Sequence, residues 1–288
     1  MQMRQLGRTG LEVSCIGLGG MPLSISDDRP FEADAIKVIH RAVDLGINFI
    51  DTADAYCLDD LDAGHNERLI GKALSELPAA KRQNIYIATK GGLVRPGRRW
   101  EPDGSEKHLR EACEASLKNL RTDRITLYQL HRIDPRAPLA ESIGCLKKLQ
   151  EEGKIRHIGV SNFSVLELQH AETIAPIVSV QNQYSRKHRQ PETDGVLEYS
   201  RQRGMAFLPW SPLNGIKGAK SLGAHEPLLE SLAVAHNCSP QRVVLAWLLS
   251  KGPHVIPIPG ASRIQSVEDS ARAGDLKLRR EEIEALNV

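Results

Sequence analysis

The chain has 288 residues, 41% hydrophobic and 26% charged, a balance that supplies one large core or two small ones. Its 38 basic and 36 acidic residues leave a net charge of +2, which argues against nucleic acid or an anionic membrane as the main partner. The five cysteines (Cys15, Cys57, Cys113, Cys145 and Cys238) show no CxxC or Cys/His spacing, which points away from a metal site and toward reduced thiols. The polar start MQMRQLGRTG lacks an apolar signal core, and no stretch approaches the roughly 18 apolar residues of a membrane span. A cytoplasmic protein is the expectation.

Turn signals at Gly7 and at Thr9-Gly10 predict a short opening β-hairpin over Leu6 to Ser14. Eight short apolar runs then read as buried strands, near 15–19, 47–51, 85–89, 125–130, 155–160, 177–181, 205–209 and 255–258. Between and after them, apolar residues spaced by three and four predict helices over 34–44, 66–77, 105–120, 138–152, 164–172, 192–203, 226–236, 240–250, 264–273 and 280–286. Gly46, Pro78 and Gly153 end three of them, and Ser105 opens another. Strand–helix units recurring at roughly 35 residues predict a parallel (β/α)8 TIM barrel, with a doubly wound sheet as runner-up. No linker or low-complexity tract divides it, so residues 1–288 are expected to form a single domain. The longest inserted loops are 91–104 and 211–225, both rich in Gly, Pro and basic residues.

In such a barrel the chemistry sits at the C-terminal ends of the strands. The second strand ends in Asp51, with Tyr56 in its loop; the third ends in Thr89-Lys90 and the fourth in His131. Later ends carry Ser161-Asn162, Asn182-Gln183, Trp210-Ser211 and Gly260-Ala261-Ser262-Arg263. Taken singly, each has an ordinary structural use as a cap, ion pair or packed ring. Their recurrence after strand upon strand is what points to a site.

A tyrosine with a pKa near 10 is a sluggish acid or base at neutrality. A nearby ammonium lowers that value, and a carboxylate holds the ammonium in place. Tyr56, Lys90 and Asp51 form such a relay on adjacent strands, and His131 on the next can hydrogen-bond a carbonyl oxygen or pass the proton. No Ser-His-Asp set, cysteine nucleophile or metal cluster competes, and Cys57 beside Tyr56 reads as packing.

These residues and the segments around them identify a resemblance. The chain resembles the aldo-keto reductases over nearly its full length, through LGRTGLEVSCIGLGGM, FIDTADAY, IYIATKGG, LYQLHR, IRHIGVSNF, VQNQYS, FLPWSPL and VIPIPGASR. The D-x4-Y spacing, with Lys and His at later strand ends in fixed order, carries the specificity. The resemblance implies a (β/α)8 barrel that transfers hydride between NADPH and a carbonyl or alcohol. It implies Tyr56 as general acid, Lys90 and Asp51 as its tuning pair, and His131 as the residue that orients the carbonyl. Ser161, Asn162 and Gln183 match the positions that hold the nicotinamide carboxamide, which amide and hydroxyl groups suit because they both donate and accept. Trp210 matches an aromatic stacked on the nicotinamide. Ser211 and Leu213 match the loop around the pyrophosphate, and Gly19 the mouth near the cofactor. Gly17-Leu18-Gly19-Gly20 is not a Rossmann fingerprint, because Pro22 takes the third glycine's place.

The chain departs from the family where many members carry basic residues for the 2′-phosphate; Gly260 and Ser266 stand there instead. Arg263, at the start of a predicted helix where an anion meets free N–H groups, is the expected replacement, favouring NADPH over NADH. Glu268 and Asp269 read either as adenine contacts or as a helix N-terminal charge face. For the substrate, Arg98, Arg99 and Trp100 read either as one pocket wall or as solvated loop residues, and the resemblance implies that Arg132, after His131, faces the substrate. The basic run Tyr184 to Arg189 reads as either an attractor for an anionic or sugar-like substrate or a solvated loop. The expected partner is a small-molecule carbonyl, and no heptad or apolar face specifies an oligomeric state. A catalytically weak cofactor-sensing subunit and a Schiff-base enzyme built on Lys90 are the alternatives; the complete tetrad argues against the first, and the carboxylate beside Lys90 against the second.

Overall fold

The computed structural model describes residues 1–224 and 226–287. An antiparallel hairpin, β1 (Met3–Gln5) and β2 (Glu12–Ser14), precedes the barrel strands β3 (Leu18–Gly19), β4 (Phe49–Asp51) and β5 (Tyr86–Gly91). A small antiparallel pair, β6 (Leu93–Val94) and β7 (Glu101–Pro102), follows, and then β8 (Ile125–Leu130), β9 (Ile155–Ser161), β10 (Ile177–Gln181) and β11 (Ala206–Phe207). Seven strands form one parallel sheet in the order β3-β4-β5-β8-β9-β10-β11. Helices follow the strands and cover the outside, giving the expected (β/α)8 architecture.

The expected eighth strand is only half a strand. Residues 254–260 close the circle through isolated parallel bridges, Phe207 with Val255 and Gly19 with Gly260. Toward β11 the segment both gives and takes: Ile256 N–H donates to Phe207 O (2.9 Å), and His254 O accepts from Phe207 N–H (2.8 Å). Toward β3 it only accepts, Pro257 O from Gly17 N–H (2.9 Å) and Pro259 O from Gly19 N–H (3.0 Å). Proline has no N–H, so no ladder can form on that side. Gly19 and Gly260 let the two backbones touch, for a Cβ on Gly19 lands 2.6 Å from Ile258 O and one on Gly260 2.5 Å from Pro22 Cγ.

Side chains alternate along the strands and divide the core in two, save at the start of β10, where a register shift between Ile177 and Ser179 breaks the alternation. Outward residues such as Ile50, Tyr128 and Val180 pack under the helices. Inward residues Phe49, Ala88, Leu127, Val178, Leu208 and Ile256 fill the barrel, and Leu6, Leu11 and Val13 of the hairpin region join this inner cluster. Helix ends follow the sequence signals closely. Ser105 caps Glu106–Leu120 by accepting from His108 N–H (3.3 Å), and Ser164 opens Val165–Glu172 with a full capping box. The predicted 192–203 helix is broken instead into Gln190–Thr193 and Val196–Gln202, because Gly195 sits at φ +85° between them. The loop 91–104 contains the β6–β7 pair, and 211–225 contains the short helix Gly215–Ser221. Among the described residues no helix is long and apolar enough to cross a membrane.

Candidate active site

Above the apolar filling the barrel interior turns polar. Asp51, Lys90, Gln129, Ser179 and Gln181 are all buried in the last residues of β4, β5, β8 and β10. Gly159 of β9 makes room for this tier, since a Cβ there meets Ser179 Oγ at 2.3 Å and Gln129 Cγ at 2.9 Å. Asp51 is held from three sides. Lys90 Nζ donates to its Oδ2 at 2.7 Å, while Gln181 Nε2 and Gln129 Nε2 donate to Oδ1 at 2.8 and 3.4 Å.

Lys90 is fully buried and all three of its ammonium hydrogens have acceptors: Asp51 Oδ2, Thr52 O at 2.8 Å and Tyr56 Oη at 3.0 Å. Because Tyr56 Oη accepts from Lys90, its own proton is free to be given elsewhere. Burial works against the ammonium, but Asp51 and Tyr56 outweigh it and hold the Lys90 pKa above its ordinary value. Tyr56 behaves differently from the expected depression. Burial raises its pKa, Lys90 pulls it down, and Asp51 pushes it back up. The carboxylate that fixes the ammonium also cancels much of its field at the phenol. Tyr56 is therefore a firmly protonated group, suited to giving a proton rather than taking one.

Three rings meet edge to face here: Tyr56 and His131 at 5.7 Å, Tyr56 and Trp100 at 6.5 Å, and Trp100 and His131 at 6.4 Å between centroids. His131 is buried, and burial, with Lys90 and Arg132 adding to it, pushes its pKa well below the ordinary value. The imidazole is thus neutral near pH 7, and its Nδ1 has no partner among the described residues. Cys57 is fully buried, its Sγ lies 3.4 Å from Ala55 O, and burial pushes its thiol up to about 11, consistent with packing.

These groups stand at the floor of a cavity of about 700 Å³. One part of its wall contains Gly19, Ser161, Asn162, Gln181, Trp210, Ser211, Leu213 and Gly260; another contains Ile25, Leu93, Trp100, Pro102, Ile133, Pro135 and Ile216. Asn162 occupies a left-handed backbone position (φ +62°), which Asn tolerates. It knits the first wall together, since Nδ2 donates to His131 O (3.1 Å) and Ser161 Oγ (3.0 Å), while Oδ1 accepts from Trp210 Nε1 (3.1 Å).

Of the expected site residues, Asp51, Tyr56, His131, Gly19, Ser161, Asn162, Trp210, Ser211 and Leu213 line the cavity, and Lys90 lies directly behind it. Gln183 does not. The β10 ladder ends at Gln181, and Gln183 makes only an isolated bridge to Trp210, so of the two glutamines it is Gln181 that faces the cavity. Arg263 is exposed and outside the cavity lining, directly before the helix Ile264–Ala271, whose Ile264 and Gln265 N–H groups have no partner among the described residues. Asp269 is already engaged by Arg242 Nη2 (2.6 Å) and by Ser239 Oγ, and Glu268 by Arg41 (2.6 Å). Both acids tie this helix to its neighbours.

Trp100 and Arg132 join the wall, whereas Arg98 pairs with Asp27 and Arg99 with Glu101. The basic run lies outside the cavity lining, with Lys187 and His188 exposed and its two arginines paired. Tyr184 is buried against Glu192, Arg186 pairs with Glu226 (3.3 Å), and Arg189 pairs with Glu192 (2.6 Å). Gln129 and Gln181 went unread in the sequence as site residues. Their signal was a polar residue at the inward parity of an otherwise apolar strand, ITLYQL and IVSVQ.

Residues 15–287 match the aldo/keto reductase family. A probable aldo-keto reductase of Glycine max is 37% identical over 98% of this chain and 87% of its own length. Among solved structures, a thermostable aldo-keto reductase in complex with the inhibitor epalrestat is 32% identical, with a TM-score of 0.85 over 100% of this chain and 99% of its own. An aldo/keto reductase from Klebsiella pneumoniae, solved with NADP and acetate, is 27% identical, with a TM-score of 0.82 over 100% and 95% of the two chains. The chain belongs to the aldo/keto reductase family.

Proposed function

As a member of that family the chain is an oxidoreductase, and we propose that it is a single-domain, NADPH-dependent reductase of aldehydes or ketones with Tyr56 as general acid. The observation that carries this is the saturated Lys90 ammonium, which leaves the Tyr56 proton free at the cavity floor. Ser161, Asn162 and Gln181 form an amide and hydroxyl set suited to a carboxamide, and the Trp210 indole, pinned through Nε1, is placed to cover a flat ring. These residues would hold the nicotinamide end, and Ser211 and Leu213, also in the cavity wall, would border the pyrophosphate. Arg263, with the free helix N–H groups behind it, would meet the 2′-phosphate. A bound NADPH supplies the hydride.

The chain's own residues do the rest. Neutral His131 offers an N–H to the carbonyl oxygen and orients it toward Tyr56. Tyr56 donates its proton to that oxygen as charge develops on it. Lys90 then steadies the phenolate left behind, with Asp51, Gln129 and Gln181 keeping the ammonium in place. The apolar wall fits a carbonyl with an apolar body better than a sugar, and Arg132 is the charged group near its rim. Lys90 as a Schiff-base amine is disfavoured by its full burial and its charge.

Tyr56→Phe is expected to reduce carbonyl turnover by at least a thousandfold while leaving the NADPH dissociation constant, read by fluorescence titration, within about twofold. Substantial residual turnover removes Tyr56 from the role of acid.

A further inference from the structure

The pair β6–β7 carries a buried cation that the chemistry above does not use. Arg95 is 6% exposed, and its guanidinium lies under the Trp100 indole with Cζ 3.9 Å from the ring centroid. Nη2 donates to Leu58 O at 2.9 Å, in the loop that carries Tyr56. Nε and Nη1 are buried with no partner among the described residues. Two unpaired donors on a buried charge are unfavourable, and the indole face is what compensates them in part. A surface of the same shape could be made from a methionine without that cost, so the planar cation has a use beyond filling space.

We propose that Arg95 is a positioning residue for substrate selection. It clamps Trp100 to the Tyr56 loop and thereby fixes the width of the slot between the indole and the Tyr56 and His131 rings. This rests on the reductase reading for its consequence, but not for its geometry. The carbonyl oxygen must reach both Tyr56 and His131, and Trp100 stands edge-on to both. Its indole limits the bulk beside that oxygen. Arg98, paired with Asp27 at 2.7 and 2.9 Å, ties the same turn to the loop after β3. Removing the Arg95 plane frees the indole to swing toward solvent, where it is already 45% exposed.

The test uses the full chain with Arg95→Met and Arg95→Lys, each alone and in a Trp100→Ala background. Lysine keeps charge and length but not the plane, so it should behave like methionine. The expected result is a rise of about tenfold in kcat/KM for a bulky aromatic ketone relative to propanal. That rise should vanish when Trp100 is already alanine, because one residue acts through the other. Independently of turnover, the indole N–H signal of Trp100 in a 15N-resolved NMR spectrum should move in Arg95→Met, while those of Trp210 and Trp247 stay in place. A selectivity change that persists without Trp100, an Arg95→Lys variant indistinguishable from wild type, or an unmoved Trp100 signal overturns the proposal. If wild type reduces neither carbonyl, the reductase reading fails, while the NMR signals still decide whether Arg95 holds Trp100.

Discussion

Asp51→Asn isolates the electrostatics of the site. The substitution keeps the shape of the side chain and deletes its charge, leaving the Lys90 ammonium fully buried among neutral acceptors, the amide oxygen, Thr52 O and Tyr56 Oη. Removing one partner of a buried ion pair costs about 3–5 kcal/mol. A ceiling follows from lysine itself: with an ordinary pKa near 10.4, forcing it neutral at pH 7 costs about 4–5 kcal/mol, and at pH 9 only about 2. In the wild type the Lys90 pKa is raised on folding, so its contribution is complete below about 10.4 and is lost only as pH climbs through the higher folded value. In Asp51→Asn the folded pKa falls below the unfolded one. The unfolded chain then binds the extra proton, and stability rises with pH. Urea midpoints should therefore show a deficit of about 3–5 kcal/mol at pH 7 that shrinks by about half at pH 9. In a thermal melt the pH 7 deficit corresponds to about 6–15 °C. Adding Lys90→Met should recover part of the loss, since a neutral pair is less unfavourable than an orphaned charge. A variant as stable as wild type at pH 7, or a deficit that does not change with pH, refutes the buried pair.

Two further substitutions bear on cofactor binding. Arg263→Ala should raise the apparent KM for NADPH at least tenfold more than that for NADH; equal effects on both remove Arg263 from the 2′-phosphate. Gln181→Ala should weaken NADPH binding, measured by fluorescence titration, more than Gln183→Ala does. The reverse order would return the carboxamide to Gln183.

What was legible in the sequence, and what was not, follows physical lines. Helix termini were readable because their signals are local: Ser105 caps one helix and Gly153 follows the end of another. The break at Gly195 was not, because a single left-handed residue leaves the apolar spacing on either side of it unchanged. The Asp51–Tyr56–Lys90 arrangement was readable because consecutive parallel strands are neighbours, so chain order predicts contact. The eighth strand is less than its hydropathy suggests, since VIPI and the residue after it carry Pro257 and Pro259, which remove the donors that would make a ladder on the β3 side. Gln181 was not legible as a site residue because it and Gln183 have equal parity about one strand end, and only the ladder shows where that end lies. The direction of the Tyr56 shift is not legible from Lys90 alone, because burial and Asp51 act on the same phenol in the opposite sense. Arg95 gave no signal, for a guanidinium in a Gly- and Pro-rich loop looks solvated until Trp100 folds over it.

The one-sided seam between residues 254–260 and β3 also bears on association between copies of the chain. An open edge strand recruits foreign strands through alternating donors and acceptors. If this seam parted, Pro257 and Pro259 would present carbonyls without amides, and β3 only the two residues Leu18–Gly19. Neither lip is a template on which another chain could continue a sheet. The sparsest seam of the barrel thus exposes no alternating donor–acceptor edge that a second chain could extend.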